Sequence, residues 1–528
     1  MKPSIPHRYL VRALGLVGVG LFLWLVLRVW HPVYGFTAFL QLTASGEATE
    51  IAAFRQYPVF IHDNPDSYDG QQYARIAYHP LLTADELRPA VDNLAYRAER
   101  ILLPALAWLL AAGRPAWIMH VYSVFNLAGW LVLAGLLWRL LPAKDGRGLI
   151  AWAGIMFSAG VLGSVRFALT DLPALIFVAA ALGAAERARP RAAVGWLAAA
   201  ALTRETSLVV CPGLWTGPWR SPAALGRNLL RLLLAAAPLI VWLGYVRWRV
   251  GPLNEGARNF TWPGVGLLEK WSESLVALGR PHPPLYVWAT VLAMAGLTAQ
   301  LAFILVRPRP ADLWWRVGAA CSLLMLCLGS AVWEGFPLAA GRVLLPLNLA
   351  CNVLALRTRV PLAWLLAGNL TVFSGLLALR EVPYNRMELA AVRSRGVACL
   401  LHLDAGWYGR ETDAHHVWSW AGERGRLNLD VWPRTARPAI RLAFRLCSET
   451  PRTVTVTYAG RVLWRGEVRF KMQTVALPAL PMQGNPLSLE LSSDAPGVPE
   501  DATPTARSLG FAIYDPAISL SDAAPPPP

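Results

Sequence analysis

Apolar runs recur along the first 380 residues, and they constrain the fold more than any other feature. They fall at about 10–30, 115–141, 149–167, 171–186, 190–203, 206–218, 229–248, 285–306, 313–332, 343–357 and 360–379, eleven in all. Crossing the hydrocarbon of a bilayer takes about 20 residues in a helix. Only 16% of the chain is charged and 24 residues are Trp, whereas soluble domains carry about 25% charge. These features predict a mostly α, polytopic membrane bundle of about eleven transmembrane helices, with aromatic residues at the interfaces. The run at 101–112 is too short to cross and reads as a re-entrant or surface helix. The two runs flanking Thr203-Arg204-Glu205-Thr206 are also short. They read either as half-length helices meeting a cavity or as one irregular span.

Basic residues orient the bundle. The net charge is +16, a balance that often marks nucleic-acid binding. Here the arginines sit at the ends of apolar runs and form no amphipathic stripe, which argues against a nucleic-acid partner. With the N-terminus cytoplasmic, the short inner segments hold Lys2, Arg8, Arg12, Arg139, Lys144, Arg147, Arg187, Arg189, Arg191, Arg220, Arg227, Arg231, Arg307, Arg309, Arg316, Arg357 and Arg359. The short outer ends hold little beyond Arg166, Arg204 and Arg342, as the positive-inside rule requires. The first run, with no small-residue cleavage site after it, reads as an uncleaved signal-anchor. The 31–100 loop, the 249–284 loop and everything after about 380 then face outward.

Past Arg380 the composition changes. Segments such as AIRLAFRL at 439–446 and TVTVTY at 453–458 alternate with period two between Gly, Pro and Asn. That pattern predicts an antiparallel β-sandwich of seven or eight strands over 381–523, with a hairpin turn at Ala459-Gly460. The 524–528 tail is proline-rich and expected to be disordered. Trp407, Tyr408, Trp418 and Trp420 read either as sandwich core or as a sugar-stacking face. A Cys399–Cys447 disulfide is an open alternative if this region is periplasmic.

Chemistry concentrates in residues 62–80, HDNPDSYDGQQYARIAYHP, with Asp63, Asp66 and Asp69 followed by Gln71, Gln72 and Tyr73. Carboxylates beside a bilayer are costly unless something uses them. Asp69 is a candidate general base, although capping of a helix that starts near it also accounts for it. Thr83-Ala84-Asp85-Glu86 reads as a capping box. Arg97 and Arg100, three apart, share one helical face at headgroup depth and suit phosphate recognition. Asp171 is either a helix cap ahead of Pro173 or a second acid. Arg204-Glu205 reads as a buried ion pair or a functional pair. Arg342, before an apolar span, could hold an anionic headgroup or anchor at the interface. No Walker, Rossmann or nucleophile-elbow motif is visible.

The ordered segments YDGQQYARIAYHP, YRAERILLPALAWLLAAG, LTDLPALIF, LAAAALTRET and GRVLLPL resemble bacterial polytopic glycosyltransferases of the GT-C superfamily. Within it, they resemble cell-surface glycopolymer members whose first outer loop carries Tyr-Asp-Gly-Gln. The resemblance covers residues 10–380. It implies an enzyme of the bacterial inner membrane working on the periplasmic face, with a polyprenyl-phosphate sugar as donor. Hexosyl or pentosyl transfer to a glycan, lipid or protein acceptor, with inversion, is the implied reaction. Asp69 maps to the catalytic acid and Asp171 to a second acid. Asp66, Gln71, Tyr73, Arg97, Arg100, Arg204, Glu205 and Arg342 are the candidate substrate-binding residues. Some members use a divalent cation such as Mg or Mn, and the chain does not decide that; no tightly bound organic cofactor is expected. A flippase or exporter of lipid-linked glycans, or a non-catalytic envelope glycan-binding protein, is the alternative.

Overall fold

The structure, a computed structural model, describes residues 7–43, 51–62, 68–141, 145–218, 221–252, 257–335, 339–501, 503 and 506–521. The chain forms two compact units. A helical unit comprises Met1–Val29, Phe39–Ile51 and Asp66–Val382, and a β unit comprises Trp30–Ala38, Ala52–Pro65 and Pro383–Pro528. The first loop is thus divided between them. Within the β unit, His31 Nε2 lies 2.6 Å from Glu388 Oε1, and Arg393 Nη2 donates to the Val33 carbonyl at 3.1 Å.

Among the described residues, four helices are long and apolar enough to cross a membrane: Tyr9–Leu27, Pro115–Leu140, Pro222–Arg249 and Leu285–Val306. A bent pair, Gly146–Met156 and Ala159–Arg166, makes a fifth span if its two arms are taken together. Most of the remaining apolar runs become shorter helices. Asp171–Glu186 has 16 residues and Pro190–Thr203 has 14. The 206–218 run holds a 3₁₀ helix, Glu205–Leu214, with Pro212 inside it. The run at 101–112 folds as a nine-residue helix, Leu102–Leu110, as its length requires. Local chemistry sets these ends. Pro115 and Pro222 occupy first-turn positions, where a missing N–H costs nothing. Asp145 accepts from Gly148 N at 2.9 Å. The bend follows Phe157, where the Ser158 hydroxyl caps the second arm. Leu229, Leu230, Leu233 and Val241 of Pro222–Arg249 are exposed, as suits a face turned to lipid. The 83–86 capping box does not form: the helix Leu87–Ala90 has no side-chain cap at Glu86, and Glu86 instead binds His79 at 2.7 Å.

The β unit holds more strands than the pattern suggested. One six-stranded antiparallel sheet runs Glu388–Ser394, Val397–Leu403, Arg424–Trp432, Leu487–Ser493, Arg452–Tyr458, Arg461–Val468. A second runs Leu480–Pro481, Ala439–Cys447, Phe511–Ser521, Val417–Ala421, Glu411–Thr412, with Gln473–Ala476 also paired to Ala439–Cys447, and Val498–Pro499 pairs with Ser508–Leu509 apart from both. Alternation supplies the core: Leu427, Leu429 and Val431 of one sheet and Leu442, Phe444 and Leu446 of the other are buried. Ala459 and Gly460 both take positive φ in the hairpin turn. Trp407 is core, with its ring edge-on to Phe511 at 5.7 Å, whereas Tyr408 is exposed. Trp418 stacks on Tyr514 at 5.6 Å. Cys399 and Cys447 are free thiols on strands of different sheets.

Gly406 has φ +91°, and a Cβ there would overlap the Arg424 carbonyl. Gly460 has φ +76° with open space around it. Gly406→Ala should therefore lower the unfolding temperature of the full chain by several degrees more than Gly460→Ala, since only the first adds a clash to the roughly 1 kcal/mol cost of a left-handed residue. A thermal scan of both variants checks this.

Candidate functional site

Asp69 opens the helix Asp69–Ile76, and Tyr68 is its N-cap. Asp69 is thus the first helical residue and not the cap. Its Oδ1 lies 2.8 Å from Arg97 Nη1. Gly70 is required beside it, because a Cβ there would overlap the Phe167 carbonyl oxygen. Asp63 and Asp66 lie outside the described residues.

Arg97 sits between two acids. Its Nε and Nη2 donate to Asp92 at 3.0 and 2.7 Å, while Nη1 meets Asp69. Arg97 is in the last turn of the helix Leu94–Ala98 and Arg100 lies just past its end, so the two do not share one helical face. Arg100 points to Glu205 through a two-pronged contact, Nε and Nη2 both at 2.9 Å. Its Nη1 donates to the Tyr73 hydroxyl, and Nη2 also reaches the Tyr96 hydroxyl at 3.1 Å. Arg100 Nε, Nη1 and Nη2 therefore all have protein partners.

Arg204 and Glu205, neighbours in sequence, pair with different partners and not with each other. Glu205 takes Arg100, while Arg204 forms an ion pair with Asp171. Their side chains diverge because the helix Pro190–Thr203 stops at Arg204, whose backbone is extended, and the 3₁₀ helix then begins. Asp171 is the first residue of Asp171–Glu186 and makes no capping bond there. Its side chain is 1% exposed and lies between Arg204 Nη1 and Arg342 Nη1, the latter at 3.5 Å. Neither carboxylate oxygen accepts a well-formed hydrogen bond among the described residues, so Asp171 is held by charge. Arg342 Nη2 donates to the Tyr68 hydroxyl at 3.0 Å, and Tyr68 stacks on Phe167 at 4.2 Å.

Residues 69, 97, 171, 204 and 342 thus converge, through Arg97 on Asp69 and through Arg204, Arg342 and Tyr68 around Asp171. Four arginines (97, 100, 204, 342) face four acids (69, 92, 171, 205). Among the described residues, Arg204 Nη2 and Arg342 Nε have no protein partner. Gln71 is buried, and among the described residues its Oε1 accepts no hydrogen bond. Burial works to raise the Asp69 pKa, but the charges of Arg97, Arg342, Arg100 and Arg204 outweigh it and hold the carboxyl below its ordinary range. Glu205 is held at about 2 against the opposing effect of burial, chiefly by Arg100.

Sequence reasoning passed over Asp92, Tyr96 and Glu99. Asp92 and Arg97 are five apart, a spacing that signals no helical pair. Burial, then the Glu205 charge, push Glu99 up to about 7. The described acids make no metal ligand set: no group of three or more His, Cys, Asp or Glu residues lies close enough together, and Asp69 and Asp171 are each matched by guanidinium groups.

No protein-family model matches the chain, and no curated protein matches it. Among solved structures, the chain is similar to the arabinosyltransferase EmbB from Mycobacterium smegmatis at 11% identity and a TM-score of 0.26. The match covers 98% of this chain and 66% of that one, so this chain spans just under two thirds of that protein's length. A TM-score that low establishes no shared fold.

Glu99 supplies a pH test. A carboxyl whose folded pKa is raised to about 7 favours folding while protonated and loses that contribution as pH rises through the folded value. Glu99→Gln, which stays neutral, should therefore unfold at a higher temperature than wild type above pH 7.5. The gap should close by pH 5. Parallel melting curves at the two pH values measure it.

Proposed function

We propose that the chain is a membrane glycosyltransferase that moves a sugar from a polyprenyl-phosphate donor to a hydroxyl of an envelope glycan, lipid or protein acceptor on the periplasmic face. The observation that carries this reading is the convergence of Asp69 with Arg97 and of Asp171 with Arg204 and Arg342, residues drawn from five separate parts of the chain. Dispersed charges gathered where apolar helices end are costly to keep and mark functional sites. The ordered GT-C-like motifs supply the reaction class.

Asp69 is the proposed base. A carboxyl held below its ordinary pKa is ionised at neutral pH and able to accept the acceptor hydroxyl proton. Its side chain is 31% exposed, so a hydroxyl can reach it. Arg97 fixes its orientation. Asp171, almost wholly enclosed, is a positioning group here: it splays Arg204 and Arg342 so that their open donors meet the phosphate that leaves with the lipid. Charge-assisted contacts from guanidinium to phosphate stabilise that leaving group. Attack by the hydroxyl forms the new C–O bond as the anomeric carbon–phosphate oxygen bond breaks on the opposite side. The anomeric centre therefore inverts, and the proton ends on Asp69. The N-terminus on the cytoplasmic side and the β unit in the periplasm, in a bacterial inner membrane, complete the proposal, and Arg-rich inner segments support that orientation.

Asp69, Asp171 and their arginines gather in one cluster, which favours an enzyme over a flippase. Asp69→Asn should cut transfer by about 10²–10⁴-fold while the protein still inserts and melts cooperatively. Arg204→Gln should raise the KM for donor by about 10-fold or more, the loss of one charge-assisted contact. Release of lipid phosphate from a radiolabelled donor by purified protein reads both. Transfer by Asp69→Asn at near wild-type rate removes the base.

A further inference from the structure

A cavity lies far from the acid cluster. Asp171 and Glu186 are the first and last residues of one 16-residue helix, about 22 Å apart at 1.5 Å per residue. At the Glu186 end is a cavity of about 460 Å³, lined among others by Glu186, Pro190, Gly213, Thr216, Arg231 and Arg316. Pro190–Thr203 and the 3₁₀ helix Glu205–Leu214 run between the same two ends. One packed set of three elements therefore carries the acid cluster at one end and this chamber at the other.

The chamber is electropositive. Glu186 is matched by Arg357 at 2.5 Å and accepts from Trp314 Nε1 at 2.6 Å. Arg316 spends its donors on backbone carbonyls, including Pro212 at 2.8 Å and Trp215 at 3.0 Å, yet keeps its charge. All the hydrogen bonds of Arg231 among the described residues run through Nη1, to Leu214, Thr216 and Asn228. Its Nε and Nη2 remain open. The turn just outside is RARPR, with Arg187, Arg189 and Arg191 exposed. A smaller apolar cavity of about 120 Å³ shares Leu214, Trp215 and Arg231 and continues along Leu197, Leu229 and Leu232. Leu229, which bounds this annex, is exposed on the face of Pro222–Arg249 assigned to lipid.

A basic chamber opening into an apolar annex is the shape and polarity of an amphiphile. We propose that this two-part cavity binds one anionic glycerophospholipid, its phosphate on the open donors of Arg231 and the start of one acyl chain in the annex. Occupancy braces the three elements whose far ends hold Asp171, Arg204 and Glu205. The proposal is independent of the glycosyltransferase reading and needs only a membrane protein. Bilayer-facing arginines contribute enough to headgroup binding that loss of one weakens it about fivefold.

The test uses the full chain in nanodiscs of phosphatidylcholine with or without phosphatidylglycerol. Native mass spectrometry should show one retained phosphatidylglycerol, and the anionic lipid should raise the unfolding temperature. Arg231→Gln should weaken retention about fivefold and abolish the shift. Ala193→Leu, which fills the chamber, should do the same. Arg139→Gln, which lines neither cavity, should change neither. Equal retention of the two lipids, or full retention by both Arg231→Gln and Ala193→Leu, overturns the proposal. So does an equal thermal shift from millimolar inorganic phosphate in phosphatidylcholine alone, which would make the ligand a free anion.

Discussion

An enclosed carboxylate needs compensation, and in this protein guanidinium groups provide it. Removing one charge from water costs several kcal/mol even after relaxation. Asp171 meets that cost only because Arg204 and Arg342 close on it from different parts of the chain. The same demand fixes Arg97 between Asp69 and Asp92 and Arg100 on Glu205. Each pairing ties a short element to a distant one, so the charges position the helix ends as much as the helix ends position the charges. The arrangement is matched four against four, yet donors on Arg204 and Arg342 stay open. A network that served stability alone would gain by satisfying those donors.

Much of the site was legible, because charges are rare in this chain and therefore conspicuous. Asp69, Asp171, Arg97, Arg204 and Arg342 stood out against apolar surroundings, and all five converge. Their pairings were not legible. Capping explained Asp69 and Asp171 equally well from sequence, since both sit at helix starts; only the coordinates show their carboxylates turned away to arginines. Arg204 and Glu205 invited pairing by adjacency, but the change from α-helix to 3₁₀ helix between them sends the side chains apart. Asp92 carries no period or spacing that would mark it, and Tyr68, although it opens the Tyr-Asp-Gly-Gln motif, gives no local sign of its contact with Arg342.

For the fold, composition spoke of membrane helices more clearly than of their lengths. Hydropathy counts apolar residues but does not see the Ser158 cap or Pro212, which break or tighten a run within the bundle. In the β unit the period-two runs located most of the long strands, and Ala459-Gly460 marked a hairpin. The strands Glu388–Ser394, Val397–Leu403 and Arg424–Trp432 escaped, because none of them stood out as a run of strict alternation. That parts of the first loop belong to the β unit depends on long-range contacts such as His31 with Glu388, which no local pattern encodes.

The central claim is that the Asp69–Arg97 pair exists for chemistry and not for structure. The double variant Asp69→Asn/Arg97→Gln separates the two, because it removes both charges of the pair together and leaves only Asp92, half-exposed to solvent, without its guanidinium. Expressed in a strain lacking the native gene, it should fold with near wild-type thermal stability while mass spectrometry shows the surface glycans still missing the transferred sugar. Restoration of those glycans by the folded double variant would contradict the account.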